Sequence, residues 1–133
     1  MRRFIDTNIL VYMFSHDPRE EQAAQIVAAG GVISVQSLTE LANVLRRKLS
    51  QSWEAIGEAI DQVETLCEVG GEVRREILGD ALRIAKRYQF SMYDSTLVAV
   101  ALKSGCDEFL SEDLHDGLVI DGRLTVRNPF AAA

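Results

Sequence analysis

Short apolar runs at residues 2–6, 32–34 and 108–111 alternate with longer segments in which apolar side chains recur every three or four positions. That alternation constrains the chain more than any other feature. Strand, helix and buried strand in succession are the signature of parallel pairing, because parallel neighbours must be joined by a crossover that is usually a helix. The expectation is an α/β sandwich, a central and mainly parallel β-sheet with helices on both faces and with ligands bound outside the carboxyl ends of the strands. At 133 residues the chain suits one domain spanning residues 1–133.

Residues 2–6 read as a buried first strand and Thr7 to Phe14 as a short helix with Ile9, Leu10, Met13 and Phe14 on its apolar side. Asp17-Pro18-Arg19-Glu20-Glu21 supplies an N-cap, a proline at the first helical position and acids in the first turn of a helix that Gly30-Gly31 ends. Val32-Ile33-Ser34 suits a short parallel strand. From Ser34 or Ser37 to Leu49, a helix places Leu38, Leu41, Ala42, Leu45 and Leu49 on one face and Arg46, Arg47 and Lys48 in its last turn. Ser52 opens a helix striped by Trp53, Ile56, Ile60, Val63 and Cys67 and closed by Gly70-Gly71. Val73, Ile77, Ala81, Ile84, Ala85 and Tyr88 stripe the next, and the two suggest a helical hairpin. The polar side of its second arm carries Arg74, Arg75, Arg83, Lys86 and Arg87, a solvated face or a guide for a nucleic-acid backbone. The helix from Ser91 to Lys103, with Gly105 just past its end, is apolar on nearly every face and therefore buried. Residues 118–120 and 124–126, around Asp121-Gly122, make a closing strand pair or one strand with a turn.

The formal charge of −6, from 20 acidic and 14 basic residues, argues against holding nucleic acid by bulk attraction. It leaves nucleic acid open as a substrate, since divalent cations bound among converging carboxylates would reverse the local field. No apolar run is long enough to cross a bilayer, and Met1-Arg2-Arg3-Phe4 lacks the core of a signal peptide, so a soluble cytoplasmic protein without membrane contact is expected. Cys67 and Cys106 lie in apolar contexts outside any C-x-x-C pair, as buried free thiols do. His16 and His115 accompany no serine or cysteine in a nucleophilic motif.

Four acids remain to be explained. Asp6 ends the first strand, Glu40 lies in the first turns after the second, Asp94 opens a buried helix and Asp113 follows a late strand, so all four belong at one sheet edge. Three of them have an ordinary reading. Asp6 or Thr7 can cap the following helix, and Ser37-Leu38-Thr39-Glu40 and Ser91-Met92-Tyr93-Asp94 both have capping-box spacing or its Asp variant. Together, however, four acids would repel one another unless some protonate or cations bind between them, and oxygen-only ligation suits Mg²⁺ or Mn²⁺.

Phe4-Ile5-Asp6-Thr7-Asn8-Ile9-Leu10, Leu38-Thr39-Glu40-Leu41-Ala42-Asn43-Val44, Tyr93-Asp94-Ser95 and Leu110-Ser111-Glu112-Asp113-Leu114 closely resemble, in order and spacing, the four acidic motifs of PIN-domain ribonucleases, especially VapC-type toxins of bacterial toxin–antitoxin systems. The resemblance spans nearly the whole chain. It implies a PIN-like sandwich and Mg²⁺- or Mn²⁺-dependent cleavage of single-stranded or structured RNA. It also implies an antitoxin partner and a homodimer. By the same resemblance Asp6, Glu40, Asp94 and Asp113 are the catalytic, metal-binding quartet, Asn8 and Ser111 support it or orient the phosphate, and Asp116 is a candidate fifth acid. Glu112, beside Asp113, has no assigned role.

Other classes fit less well. Haloacid-dehalogenase-like phosphohydrolases carry D-x-D at the first strand end, where this chain has Asn8 in the second position. Receiver-like domains need a lysine after a late strand, and none follows Lys103. A non-catalytic metal-binding or interaction module, and a housekeeping nuclease without an antitoxin, remain as alternatives.

Overall fold

The structure, a computed structural model, describes residues 1–71 and 74–131. Strands β1 (Arg3–Ile5), β2 (Val32–Ile33), β3 (Glu68–Val69), β4 (Glu108–Leu110), β5 (Val119–Ile120) and β6 (Leu124–Arg127) form one sheet in the order β3-β2-β1-β4-β6-β5. Every pairing is parallel except that of β5 with β6. Six helices among the described residues flank it: α1 (Thr7–Met13), α2 (Glu20–Ala28), α3 (Val35–Arg47), α4 (Trp53–Leu66), α5 (Arg75–Tyr88) and α6 (Met92–Lys103). The expected α/β sandwich is therefore what the chain forms.

Because side chains alternate along a strand, the central β1 feeds two cores. Phe4 stacks on Phe109 of β4, with ring centroids 5.2 Å apart, and joins the core under α5 and α6; Ile5 points the other way, into the core under α1 to α4. Helix α6 is buried continuously from Ser95 to Leu102, as its apolar composition requires. It ends in a Schellman motif, in which Cys106 N–H donates to Ala101 O at 3.0 Å and Gly105, at φ +72°, donates to Leu102 O at 3.1 Å. Asp121 and Gly122, both at positive φ, make the tight turn of the β5–β6 hairpin, which settles residues 118–126 as a strand pair.

Several sequence expectations need correction. Residues 53–88 do not form a helical hairpin: α4 packs in one layer and α5 in the other, against α6, with β3 between them in sequence. Gly70 follows that strand rather than closing a helix, donating from its backbone N–H to Ile33 O. Both residues of β3 are exposed, so this edge strand has no apolar pattern by which to be found. Helix α2 begins at Glu20, because Asp17 and Pro18 form a turn in which the Asp17 carboxylate accepts the Arg19 N–H at 2.8 Å. Leu49 lies beyond the end of α3 and is exposed, and Trp53 is 66% exposed beneath the Arg46 guanidinium. Val73 lies outside the described residues.

With β1, β2 and β4 parallel, their carboxyl ends share one edge, and the connections leave β1 towards β2 and return to β4, so the switch in strand order falls between β1 and β4. At the amino end of β2, opposite that edge, Gly31 approaches β1 closely: a Cβ there would lie 2.7 Å from Ile5 Cδ1 and 3.1 Å from Arg3 O. We expect Gly31→Ala to lower stability by about 1–3 kcal/mol, read as a lower urea midpoint at unchanged slope. Gly57→Ala, on the exposed side of α4 where a Cβ meets nothing within 4 Å, should raise stability by about 0.5–1 kcal/mol. A Gly31→Ala protein as stable as the parent would show that β1 yields freely.

Candidate active site

Asp6 leaves the end of β1 and caps α1, its Oδ1 accepting the Thr7 N–H at 2.8 Å, while Oδ2 accepts the Ser111 hydroxyl at 2.8 Å across the β1–β4 junction. The residue is 5% exposed. Burial pushes its carboxyl pKa up to about 7, the two hydrogen bonds oppose that, and the negative charges of Asp94 and Asp113 add to it. The capping role is thus real, and it coexists with membership of an acidic cluster.

Glu40 is not a cap. The capping box of α3 is formed by Ser34 and Ser37, one turn earlier than the Ser37–Glu40 spacing suggests, which leaves the Glu40 side chain to the site. Its Oε2 accepts the Thr7 hydroxyl at 2.8 Å and its Oε1 the Gln36 amide at 2.9 Å. Asp94 sits in the first turn of α6, whose N-cap Ser91 takes the Asp94 N–H at 3.1 Å. Burial raises the Asp94 pKa, the Ser91 hydroxyl lowers it, and the charges of Asp113 and Glu40 raise it. Asp113 Oδ2 accepts the Asn8 amide at 2.5 Å. The four candidate acids, drawn from four separated segments, are therefore electrostatic neighbours.

The supporting residues have defined tasks. Ser111 is fully buried; its hydroxyl donates to Asp6 and accepts the N–H groups of Asp113 at 3.1 Å and Leu114 at 3.3 Å. That uses the whole hydrogen-bonding capacity of a hydroxyl, so Ser111 holds the carboxylates in place and is not available to a phosphate. Asn8 steadies Asp113. Asp116 is turned towards the C-terminal segment, where its Oδ1 accepts the Asn128 N–H at 2.9 Å. Glu112 faces Tyr12 and Arg19, accepting the Tyr12 hydroxyl and the Arg19 Nη1 at 2.5 Å. Arg19 also grips Asp17 through two nitrogens and lies 3.9 Å from the centroid of the Tyr12 ring. Adjacent acids thus do different work, Glu112 fastening the loop that presents Asp113. The sequence offers Thr7 only as a helix cap and does not single out Gln36. Gln36 carried a signal, standing one turn before Glu40 on the same helix face; Arg19 and Glu112, far apart in the chain, carried none.

Among the described residues, none of Asp6, Glu40, Asp94 and Asp113 has an Arg, Lys or His in ion-pair contact. By contrast, Glu68, Glu112, Asp17, Asp121 and Glu108 are all paired with arginines. No three His, Cys, Asp or Glu side chains among the described residues are gathered tightly enough to enclose a metal ion. Glu40 and Asp113 are instead tied to Thr7 and Asn8. The donor set nevertheless fits a hard divalent cation: it is all oxygen and, among the described residues, uncompensated by protein cations. Arg83, from the basic side of α5, is paired with Asp121, and Arg87 lies over Tyr88.

A PIN-domain family model matches residues 3–115. The chain belongs to the PIN-domain family. No curated protein sequence matches it. Among solved structures, the PIN fold is shared with Mycobacterium tuberculosis VapC20, described as a sarcin–ricin-loop-cleaving toxin, at 22% identity and a TM-score of 0.69 over 84% of this chain and 91% of that one. A toxin–antitoxin complex from Klebsiella pneumoniae matches at 18% identity and a TM-score of 0.72, over 98% and 99% of the two chains. VapBC2 from Rickettsia felis, solved with a promoter DNA fragment, matches at 17% identity and a TM-score of 0.60, over 84% and 87%.

The raised Asp6 pKa has a consequence for the metal-free PIN domain. Between pH 3.8 and about 7 the folded state retains a proton that the unfolded chain has lost, so stability should fall as pH rises through this window. Asp6→Asn removes the titrating group, its single amide oxygen keeping the bond from the Thr7 N–H and giving up the one from the Ser111 hydroxyl, and should flatten much of that fall. Urea unfolding in EDTA from pH 4 to pH 8 measures this; superimposable profiles would mean that Asp6 is ionised throughout.

Proposed function

We propose that this PIN domain, as one unit over residues 1–133, is a divalent-metal-dependent endoribonuclease and the toxin of a toxin–antitoxin pair. The observation that carries the reading is the convergence of Asp6, Glu40, Asp94 and Asp113, with no cationic partner among the described residues, at the carboxyl ends of β1 and β4. A Mg²⁺ or Mn²⁺ ion bound there would supply water activation and neutralisation of phosphate charge. The four carboxylates would hold the ion and orient the water. Thr7, Asn8 and Ser111 keep the carboxylates in position through the bonds described above, and the Tyr12–Arg19–Glu112 cluster anchors the loop that carries Asp113.

The toxin assignment draws on the solved relatives, which include a toxin–antitoxin complex and a VapBC pair. An antitoxin segment that enters the acidic site should do so with Arg or Lys, replacing the metal charge. Leu78 and Leu82, one turn apart and exposed on α5, supply an apolar patch suited to a homodimer. No helix among the described residues is long and apolar enough to cross a membrane; the cytoplasmic site of action belongs to the proposal because cellular RNA is the substrate it names.

Incubation of the pure protein with a mixed RNA pool, followed by mapping of the ends, tests the reading. Cleavage should require Mg²⁺ or Mn²⁺ and cease in EDTA. Asp94→Asn should reduce it by about 100-fold or more without loss of cooperative unfolding, since the size is kept and a ligand charge removed. Asp116→Asn, which retains an acceptor for Asn128, should remain within about threefold of the parent. Cleavage that persists in chelator would remove the metal-nuclease reading. Co-expression with the neighbouring reading frames separates a toxin from a housekeeping nuclease, since only the toxin should retain an inhibitory partner.

A further inference from the structure

The acidic site opens sideways into a cavity of about 530 Å³ that shares Thr7, Asn8 and Glu40 with it and continues past Thr39, Asn43 and Val44 to Tyr93. Tyr93 immediately precedes Asp94 and is 72% exposed; among the described residues no ring, guanidinium or hydrogen-bond partner occupies its side chain. Its backbone is nevertheless fixed. The Gln36 amide reaches the Tyr93 carbonyl at 3.3 Å and Glu40 Oε1 at 2.9 Å, tying the ring-bearing residue to one of the acids. Beyond Asn43 and Val44, a second cavity of about 270 Å³ shares those two residues and adds Arg47 and Lys48, both exposed and, among the described residues, in no ion pair. Carboxylates, an open aromatic ring with amide and hydroxyl groups beside it, and two cations therefore follow one another along a continuous groove.

That order matches the alternating chemistry of a single strand of nucleic acid, in which phosphates alternate with π-faced bases. Resting on the ribonuclease reading above, we propose that the groove binds the RNA strand beside the scissile phosphate, with one unpaired base stacked on Tyr93 and a neighbouring phosphate held by Arg47 and Lys48. Stacking on a single tyrosine is sequence-tolerant, while Thr39 and Asn43 offer groups that can meet base edges. Local cations at the end of α3 also show how a chain of net charge −6 can take up RNA: attraction is confined to the groove.

Anisotropy of a fluorescein-labelled decauridylate, with Ca²⁺ in place of Mg²⁺, tests the groove against a decamer of the same length made of abasic ribose phosphates. The parent should bind the decauridylate more tightly. Tyr93→Ala should weaken decauridylate binding by about tenfold and abasic binding little, erasing the preference, whereas Tyr93→Trp should keep it. Arg47→Ala with Lys48→Ala should weaken both decamers alike and reduce the slope of log affinity against log salt by about 1.4, as expected for two lost phosphate contacts on a single strand. The proposal is overturned if Tyr93→Ala binds as the parent does, if it weakens both decamers equally, or if the parent shows no preference between them. It is also overturned if Tyr93→Ala leaves RNA binding intact and releases only a protein partner. A parent that cleaves the mixed RNA pool but fails these comparisons loses the groove and keeps the ribonuclease reading, whereas one that neither binds nor cuts RNA loses both.

Discussion

The hydrogen bond from the Ser111 hydroxyl to the Asp6 carboxylate joins the ends of the two central strands and holds, among the described residues, the one carboxylate that is buried. A buried carboxylate is expensive to ionise, and here the neighbouring acids add repulsion to desolvation. The protein answers with neutral donors only: the Thr7 N–H and the Ser111 hydroxyl. The same Ser111 oxygen receives two N–H groups from the loop that carries Asp113, so one hydroxyl fixes the relative position of two acids. An arrangement that steadies carboxylates without neutralising them stays open to an external cation.

Much of this was legible because the constraints were local or periodic. The parallel core announced itself through apolar runs separated by helix-length segments, and the buried α6 through a run of apolar residues on every face. Asp6, Glu40, Asp94 and Asp113 could be placed at one edge once the strands were taken as parallel. Their neighbours Asn8 and Ser111 stood within the same motifs, although only geometry decided that Ser111 is saturated by protein groups. Strand β3 was illegible for the opposite reason: at the sheet's rim its two residues are exposed, and only backbone pairing with β2 makes it a strand. Missing it joined α4 and α5 into a hairpin that the sheet actually separates.

Capping chemistry explains the other ambiguities. Ser34, Ser37 and Glu40 offer two overlapping boxes three residues apart, and burial of Ser34 and Ser37 at the end of β2 selects the earlier one, which frees Glu40. Glu112 and Asp113 are chemically similar neighbours, and what distinguishes them is 93 residues away in the chain: the Arg19 guanidinium that claims Glu112. Long-range pairing of that kind leaves no local trace. It is nevertheless what separates the two acids of one loop, tying Glu112 to an arginine and leaving Asp113 with the neutral Asn8 amide.

The central claim is that the four carboxylates, kept close without a protein cation, form a site for a divalent ion. Anomalous diffraction from a crystal soaked in Mn²⁺ tests it most directly. We expect a difference peak at the carboxyl ends of β1 and β4, within about 2.0–2.3 Å of oxygens from at least two of Asp6, Glu40, Asp94 and Asp113. Mn²⁺ bound elsewhere on the molecule, with no peak at this edge under saturating soak, would contradict it.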